Sequence, residues 1–477
     1  MPMNNKTREK FLNDLRCIVG EGNVIVENLE GFETDWRQRT RGKALAVVRP
    51  KTTQEVAAVV KACAKESVPV VSQGGNTGLA EGAIPDASGN QLILQLGRMN
   101  SIRAVDEDNM TVTVEAGCVL QVIQERMSEM GHLFPLSLGA EGSCTIGGNL
   151  ATNAGGTQVL RYGNTRDLCL GLEVVTPQGE IWNGLAGLRK DNTGLDLRNL
   201  FVGSEGILGV ITAATLKLYP LPAAVLTAWV PIAEVSQAVS LLSLARRRMR
   251  SSLTGFELMD RLGLELVQKH ISQVRIPLYD QASPYSVLIE CSDEESEQHA
   301  RSAFDSLLEE ALESGLINDA VVAETVAQAN QMWHVREHIT LAQGLEGPNI
   351  KHDISIPISR ISDFVESTSR QLLETFPGSQ VVNFGHLGDG NLHYNLAAPK
   401  TANAHEFFSK NEHAVHHIVY EKVAEYGGSI SAEHGIGGLK LDELKDYKCP
   451  AALGLMHSIK NAIDPQNIMN PGKVLSI

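Results

Sequence analysis

Residues 142–156 read GSCTIGGNLATNAGG, and this glycine-dense, charge-free run decides the fold. It lies inside a wider stretch, 135–165, that is rich in Gly, Ser, Thr and Asn. So many glycines disfavour a helix core, and so few charges disfavour a solvated linker. The stretch is expected to be a loop region whose bare backbone something approaches closely. Two further runs share this texture. QGGNTG (73–78) follows the strand-like VPVVS, and GSEGILG (203–209) opens a strand-like run that ends near Pro220. Adjacent glycines after a strand expose backbone N–H groups without Cβ obstruction, which makes an anion cradle. QGGNTG matches neither the GK[ST] nor the GxGxxG phosphate loop. Alone it reads equally as a tight turn. Three such segments within the first 210 residues point to one long ligand with a pyrophosphate, a dinucleotide lying in an extended groove.

The chain has 477 residues, which suggests two or three domains at roughly 150 residues each. It carries 41 Lys+Arg against 56 Asp+Glu, a formal charge of -15. Such a surface repels phosphate polymers and anionic membranes, so nucleic acid is not an expected partner. A small anionic substrate needs a local basic pocket. The cysteines number seven, widely spaced and without a CxxC, which fits a reducing compartment and no thiolate zinc site. The N terminus lacks a basic-then-apolar leader, and no apolar run reaches the roughly 18 residues of a membrane span. These features predict a cytoplasmic protein.

Elements alternate along the first half. An amphipathic helix with Phe11, Leu12, Leu15 and Ile18 precedes a short strand at 24–26. Strands follow at 44–48, 68–72, 92–96 and 110–116, with helices at 53–65, capped by Thr53, and at 119–130. After Pro222 glycines become scarce. A strand at 225–230, a helix at 235–249, a strand at 286–291 and helical stretches at 294–314 and 320–342 read as an α+β second domain. The tail, turn-rich, is expected to end in a short strand. The domains expected are 1–220, 221–440 and a segment 441–477 that returns to the first.

PKTTQEVAAVVKAC, PVVSQGGNTGLAEGA, EAGCVLQVIQE, GSCTIGGNLATNAGGTQVLRYG and LFVGSEGILGVITAATLKLYP, in this order, resemble the FAD-binding domain of the vanillyl-alcohol-oxidase/p-cresol-methylhydroxylase flavoproteins. GHLGDGNLH, AEHGIG and DPQNIMNPGKVL resemble the D-lactate and glycolate dehydrogenase branch. The resemblance spans residues 44–475. It implies an α+β fold: a two-subdomain FAD-binding domain plus an α+β substrate (cap) domain with an antiparallel sheet. It implies FAD with Gly74, Gly75, Asn76, Thr77, Gly78 and Leu79 at the pyrophosphate. Ser143, Gly147, Gly148, Asn149, Asn153 and Gly155 would lie along the ribityl chain and isoalloxazine. Glu205, Gly206, Gly209 and Ile211 would approach the adenosine side. Some relatives tether flavin through a histidine where this chain has Asn76, others through a cysteine near Cys144. Non-covalent FAD is expected here.

NFGHLGDGNLHYN (383–395) carries a second signal. Two extended runs flank Asp389-Gly390, a strong two-residue hairpin sequence. Closing the turn there sets His386 directly opposite His393, on one sheet face, with Asn395 two residues along. Two imidazoles so placed grip one cation, or form a cross-strand pair with none. A catalytic zinc takes three protein ligands, and Glu433 in SAEHG is the candidate third. Zinc is the default for this set, with manganese, iron and cobalt as alternatives. His434, next in the chain, suits a general base.

In WHVREHIT, Arg336 and Thr340 stand at i and i+4, on one helix face, and Lys351 follows in KHDISIP. Members that take dicarboxylates, D-2-hydroxyglutarate foremost, are similar to this chain in these positions. The resemblance implies that Arg336 holds the C1 carboxylate and that Lys351 and Thr340 hold the distal one, with Asn395 also at the substrate. The implied reaction oxidises D-2-hydroxyglutarate to 2-oxoglutarate by metal-assisted hydride transfer to FAD. An electron-transfer flavoprotein or a quinone would reoxidise the flavin, and a homodimer is a family-level expectation. Rival readings are a D-lactate or glycolate dehydrogenase or oxidase, and a metal-dependent hydrolase with merely structural glycine loops.

Overall fold

Runs of β-branched and apolar residues set the first layer. The computed structural model describes residues 4–476. Ala44–Val48 pairs in parallel with Gln91–Gln95, which pairs in parallel with Val70–Gln73. Strands covered on both faces read as continuous apolar runs, as ALAVV does. Val24–Ile25 closes one edge, antiparallel. Helix Thr53–Glu66 packs Val56, Val59, Val60 and Cys63 into this core, and helix Asn5–Val19 adds Phe11, Leu12 and Leu15. The cap of the former is Thr52, whose hydroxyl accepts from Glu55 N. Thr53, the expected cap, lies one residue inside and bonds the Glu173 carboxylate at 2.6 Å.

A five-stranded antiparallel sheet follows, ordered Ile102–Asp106, Thr111–Glu115, Val210–Lys217, Cys169–Val175 and Ile181–Gly184. The stretch expected to be loop contains helix Ile146–Thr152. Its glycines serve close approach: a Cβ on Gly147 would lie 2.7 Å from the Ala116 Cβ. The chain end returns here, with Val70 N donating to Ile468 O and Asn470 N to Val70 O. The expected terminal strand does not form. Residues 471–475 are turns and bends, because Pro471 has no N–H to extend the pairing and Gly472 turns at φ 77. Together these pieces make one compact unit: the chain as far as Gly155, Gly163–Tyr219, and Glu433 onward.

The other unit comprises Gly156–Tyr162 and Pro220–Ala432. Its antiparallel sheet runs Val321–Val322, Ala224–Ile232, Tyr285–Asp293, Leu253–Asp260, Gln380–Gly385, Asn391–Ala397 and Asn349–Ile350, and Asp353–Ser355 also pairs with Asn391–Ala397. Side chains alternate, so Glu257, Met259, Leu288, Val382 and Phe384 share one face. Helices Arg261–His270, Val326–Glu337 and Ile339–Glu346 cover that face, packing Leu264, Met332, Val335 and Ile339 on Trp229, Met259, Leu288 and Phe384. The helical stretch read at 320–342 is thus two helices. They part at His338, whose Nδ1 bonds the His334 carbonyl at 2.7 Å and competes for the group the helix ladder uses. Among the described residues no helix is long and apolar enough to cross a membrane.

Candidate active site

The first two glycine runs meet backbone to backbone. A Cβ on Gly75 would lie 2.0 Å from Ser143 O, and one on Gly74 2.2 Å from Thr145 Oγ1. Only glycine allows this approach. Thr145 Oγ1 is buried with no hydrogen-bond partner among the described residues, a polar atom beside the cradle that a bound group would satisfy. Asn76 takes a left-handed conformation, and its Nδ2 donates to Thr34 O at 2.9 Å. The buried Cys144 thiol accepts from Asn149 Nδ2 at 3.5 Å, and burial pushes its pKa up, away from the reactive thiolate. Asn153 caps the 146–152 helix and accepts from Arg166 N.

The third run has another task as well. Glu205 accepts from Ile436 N and Gly437 N, each at 2.8 Å. Burial pushes this carboxyl up while the two amides pull it down. A Cβ on Gly437 would lie 1.8 Å from Ala80 O. Both Glu205 oxygens therefore hold the backbone that directly follows His434, a contact that the implied adenosine-side role did not anticipate.

In the other unit, the histidine motif departs from the expected register. Phe384, not His386, stands opposite His393. The strands end at Gly385 and begin again at Asn391, so the connection is five residues rather than two. The His386 carbonyl gathers the amides of Asp389, Gly390 and Asn391, which closes a wider loop. The slip is by two residues, so the face is kept. The imidazoles of His386 and His393 still meet, with ring centroids 5.7 Å apart and ring nitrogens within 4.8 Å.

Beneath them lies Glu257, which the sequence reading passed over. It is 1% exposed. Oε1 bonds His386 Nδ1 and Oε2 bonds Arg336 Nε, both at 2.8 Å. Burial would raise its pKa, but the charges and hydrogen bonds of His386 and Arg336 outweigh that and lower it to about 2. The only sequence signal was an ionisable residue inside the apolar run LTGFELMD. Burial pushes Asp389, in the 386–390 connection, up to about 6.

Arg336 is itself buried, with its guanidinium 5.0 Å from the Phe384 ring centroid, and that ring lies 5.0 Å from His393. Thr340 is exposed and sits on the next helix, past the break at His338, so the expected shared helix face is not continuous. Lys351 is half-buried between Asn349–Ile350 and Asp353–Ser355. Asn395 is buried, donates to Gln343 Oε1 at 3.0 Å and accepts from His352 N at 3.1 Å, so its amide also braces the protein.

Asp353 was also overlooked. It registers opposite His393, with 3.9 Å between its Oδ1 and His393 Nδ1. Ser429 bridges to Ser355, and Ala432 N donates to Asp353 O at 3.3 Å. Glu433 and His434 are the next two residues of the chain, both half-buried.

Residues 221–474 match the family described as FAD linked oxidases, C-terminal domain, and residues 44–184 match the FAD binding domain. The chain belongs to the FAD-linked oxidase family. This flavoprotein is 38% identical over 476 residues to the mitochondrial D-2-hydroxyglutarate dehydrogenase of Arabidopsis thaliana, covering 99% of this chain and 83% of the relative. A mitochondrial Schizosaccharomyces pombe protein named for D-lactate dehydrogenase is 37% identical, covering 99% of this chain and 91% of its own. Substrate-bound p-cresol methylhydroxylase superposes with a TM-score of 0.75 at 18% identity, covering 99% of this chain and 97% of that one, which establishes the fold.

This family member is thus an FAD-dependent oxidoreductase with the expected α+β architecture. The expectation of a cytoplasmic location is overturned, since these relatives are mitochondrial. Unpaired cysteines signal a reducing environment, which does not distinguish one reducing compartment from another.

Proposed function

We propose that the protein is a dehydrogenase of a D-2-hydroxy acid, with D-2-hydroxyglutarate as substrate and 2-oxoglutarate as product. The observation that carries the reading is the convergence of Arg336, His386, His393 and Asp353 on one end of a sheet, in a chain 38% identical to a protein named for that activity. Arg336 binds the C1 carboxylate, the geometry a guanidinium fork suits. Lys351 and Thr340 bind the distal carboxylate. His386, His393 and Glu433 suit a divalent cation, zinc by default for this donor set, and a metal-bound histidine characteristically has its other nitrogen on a carboxylate, as His386 does. When bound, the cation would lower the pKa of the 2-hydroxyl and FAD would accept the Cα hydride at N5. His434 removes the hydroxyl proton, and its neighbours fix the substrate so that the proton lies within its reach. An electron-transfer flavoprotein or a quinone then takes the electrons, and the chain forms a homodimer.

The test is anaerobic bleaching of the bound flavin by a panel of D- and L-2-hydroxy acids, with metal analysis on the same sample. D-2-hydroxyglutarate is expected to bleach it and the L-isomer not. Faster bleaching by D-lactate or glycolate would move the reading to the monocarboxylates, which the S. pombe relative favours. Lys351→Ala separates the two. Loss of a charged hydrogen bond to the distal carboxylate is expected to lower kcat/KM for D-2-hydroxyglutarate about 10- to 100-fold, with D-lactate little changed. Equal losses on both substrates reject the distal-carboxylate role.

A further inference from the structure

Two groups with separate tasks, the arginine for the C1 carboxylate and a histidine of the cation site, share one buried carboxylate. We propose that Glu257 is a positioning residue that sets cation affinity through His386 and substrate orientation through Arg336. The inference rests on the proposed function. Glu257 lies on strand Leu253–Asp260, where the register Leu258 to Gly385 places it one step further along, against His386. Its two oxygens divide the work: Oε1 meets His386 Nδ1 and Oε2 meets Nε and Nη2 of Arg336, all at 2.8 Å. An ionised carboxylate only accepts hydrogen bonds, so His386 Nδ1 carries the proton and Nε2 is the nitrogen that would ligate. The same carboxylate, with the Phe384 ring 5.0 Å from the guanidinium, restrains the fork that meets a substrate carboxylate. Cation binding and substrate binding are therefore coupled through a single side chain.

A merely structural role, neutralising a buried arginine, predicts lost stability alone. The test uses the full-length, flavin-loaded protein, stripped with chelator and titrated with Co(II) and Zn(II). Glu257→Gln is expected to weaken cation binding about 10- to 100-fold and to alter the Co(II) d–d spectrum. It should also raise KM for D-2-hydroxyglutarate more than it lowers kcat. Arg336→Met alone, which leaves the Glu257–His386 bond in place, should change cation affinity less than Glu257→Gln does. If Glu257→Gln does not fold, Glu257→Gln/Arg336→Met, which removes both buried charges, carries the same cation readout. Wild-type cation affinity in either Glu257 variant overturns the proposal. Unchanged affinity in His386→Ala overturns the cation site itself, which separates failure of the underlying reading from failure of the Glu257 assignment.

Discussion

His434→Ala is expected to lower kcat by about 10²- to 10⁴-fold, the usual contribution of a positioned general base. An imidazole has an unperturbed pKa near working pH, so it accepts a proton without prior deprotonation. The structure gives this histidine a firm backbone on its C-terminal side. Glu205 holds the amides two and three residues on, and Gly437 lies against Ala80 O with no space for a side chain. On its N-terminal side Ala432 is bonded to Asp353 O. The variant should therefore keep its fold, its flavin absorbance and its KM, and lose the reductive half-reaction. Anaerobic stopped-flow reduction measures this directly. A wild-type reduction rate in His434→Ala would remove the base assignment.

Chelation, or His386→Ala, is expected to lower turnover about 10³-fold or more, since polarisation of the hydroxyl by a cation contributes several kcal/mol. The flavin spectrum should stay intact in both cases, because the glycine cradle lies in the other unit. Zinc, manganese or cobalt added back should restore the chelated wild type and fail to restore His386→Ala. An undiminished rate in metal-free protein would falsify the cation role.

Much of the fold was legible because it rests on local periodicity. The helix Val235–Met249 has the bounds that its apolar spacing predicts, and the strands near 44–48, 92–96 and 286–291 follow from short apolar runs with turn residues at their ends. The misses have a common cause. Ile146–Thr152 is helical despite its glycines, because Ala116, remote in sequence, needs a smooth face to pack on. The connection after Gly385 is five residues rather than two, and the register slips by two, because the His386 carbonyl drew in three amides, which no dipeptide preference encodes. Nothing local marks Glu257, since its partners lie 79 and 129 positions away.

By itself the sequence determined which residue types were available for each chemistry: bare glycine backbone for a dinucleotide, a pair of imidazoles on either side of one turn sequence, and cationic side chains within an acidic chain. Those are matters of composition and short-range spacing, and each is set by covalent neighbours. The tertiary structure alone decided the pairings, namely that one buried carboxylate serves both Arg336 and His386, and that Glu205 grips the backbone beyond His434. A charge removed from water takes whichever partner the folded sheet and helix bring within hydrogen-bond reach, and that depends on register and packing between segments 79 to 232 residues apart.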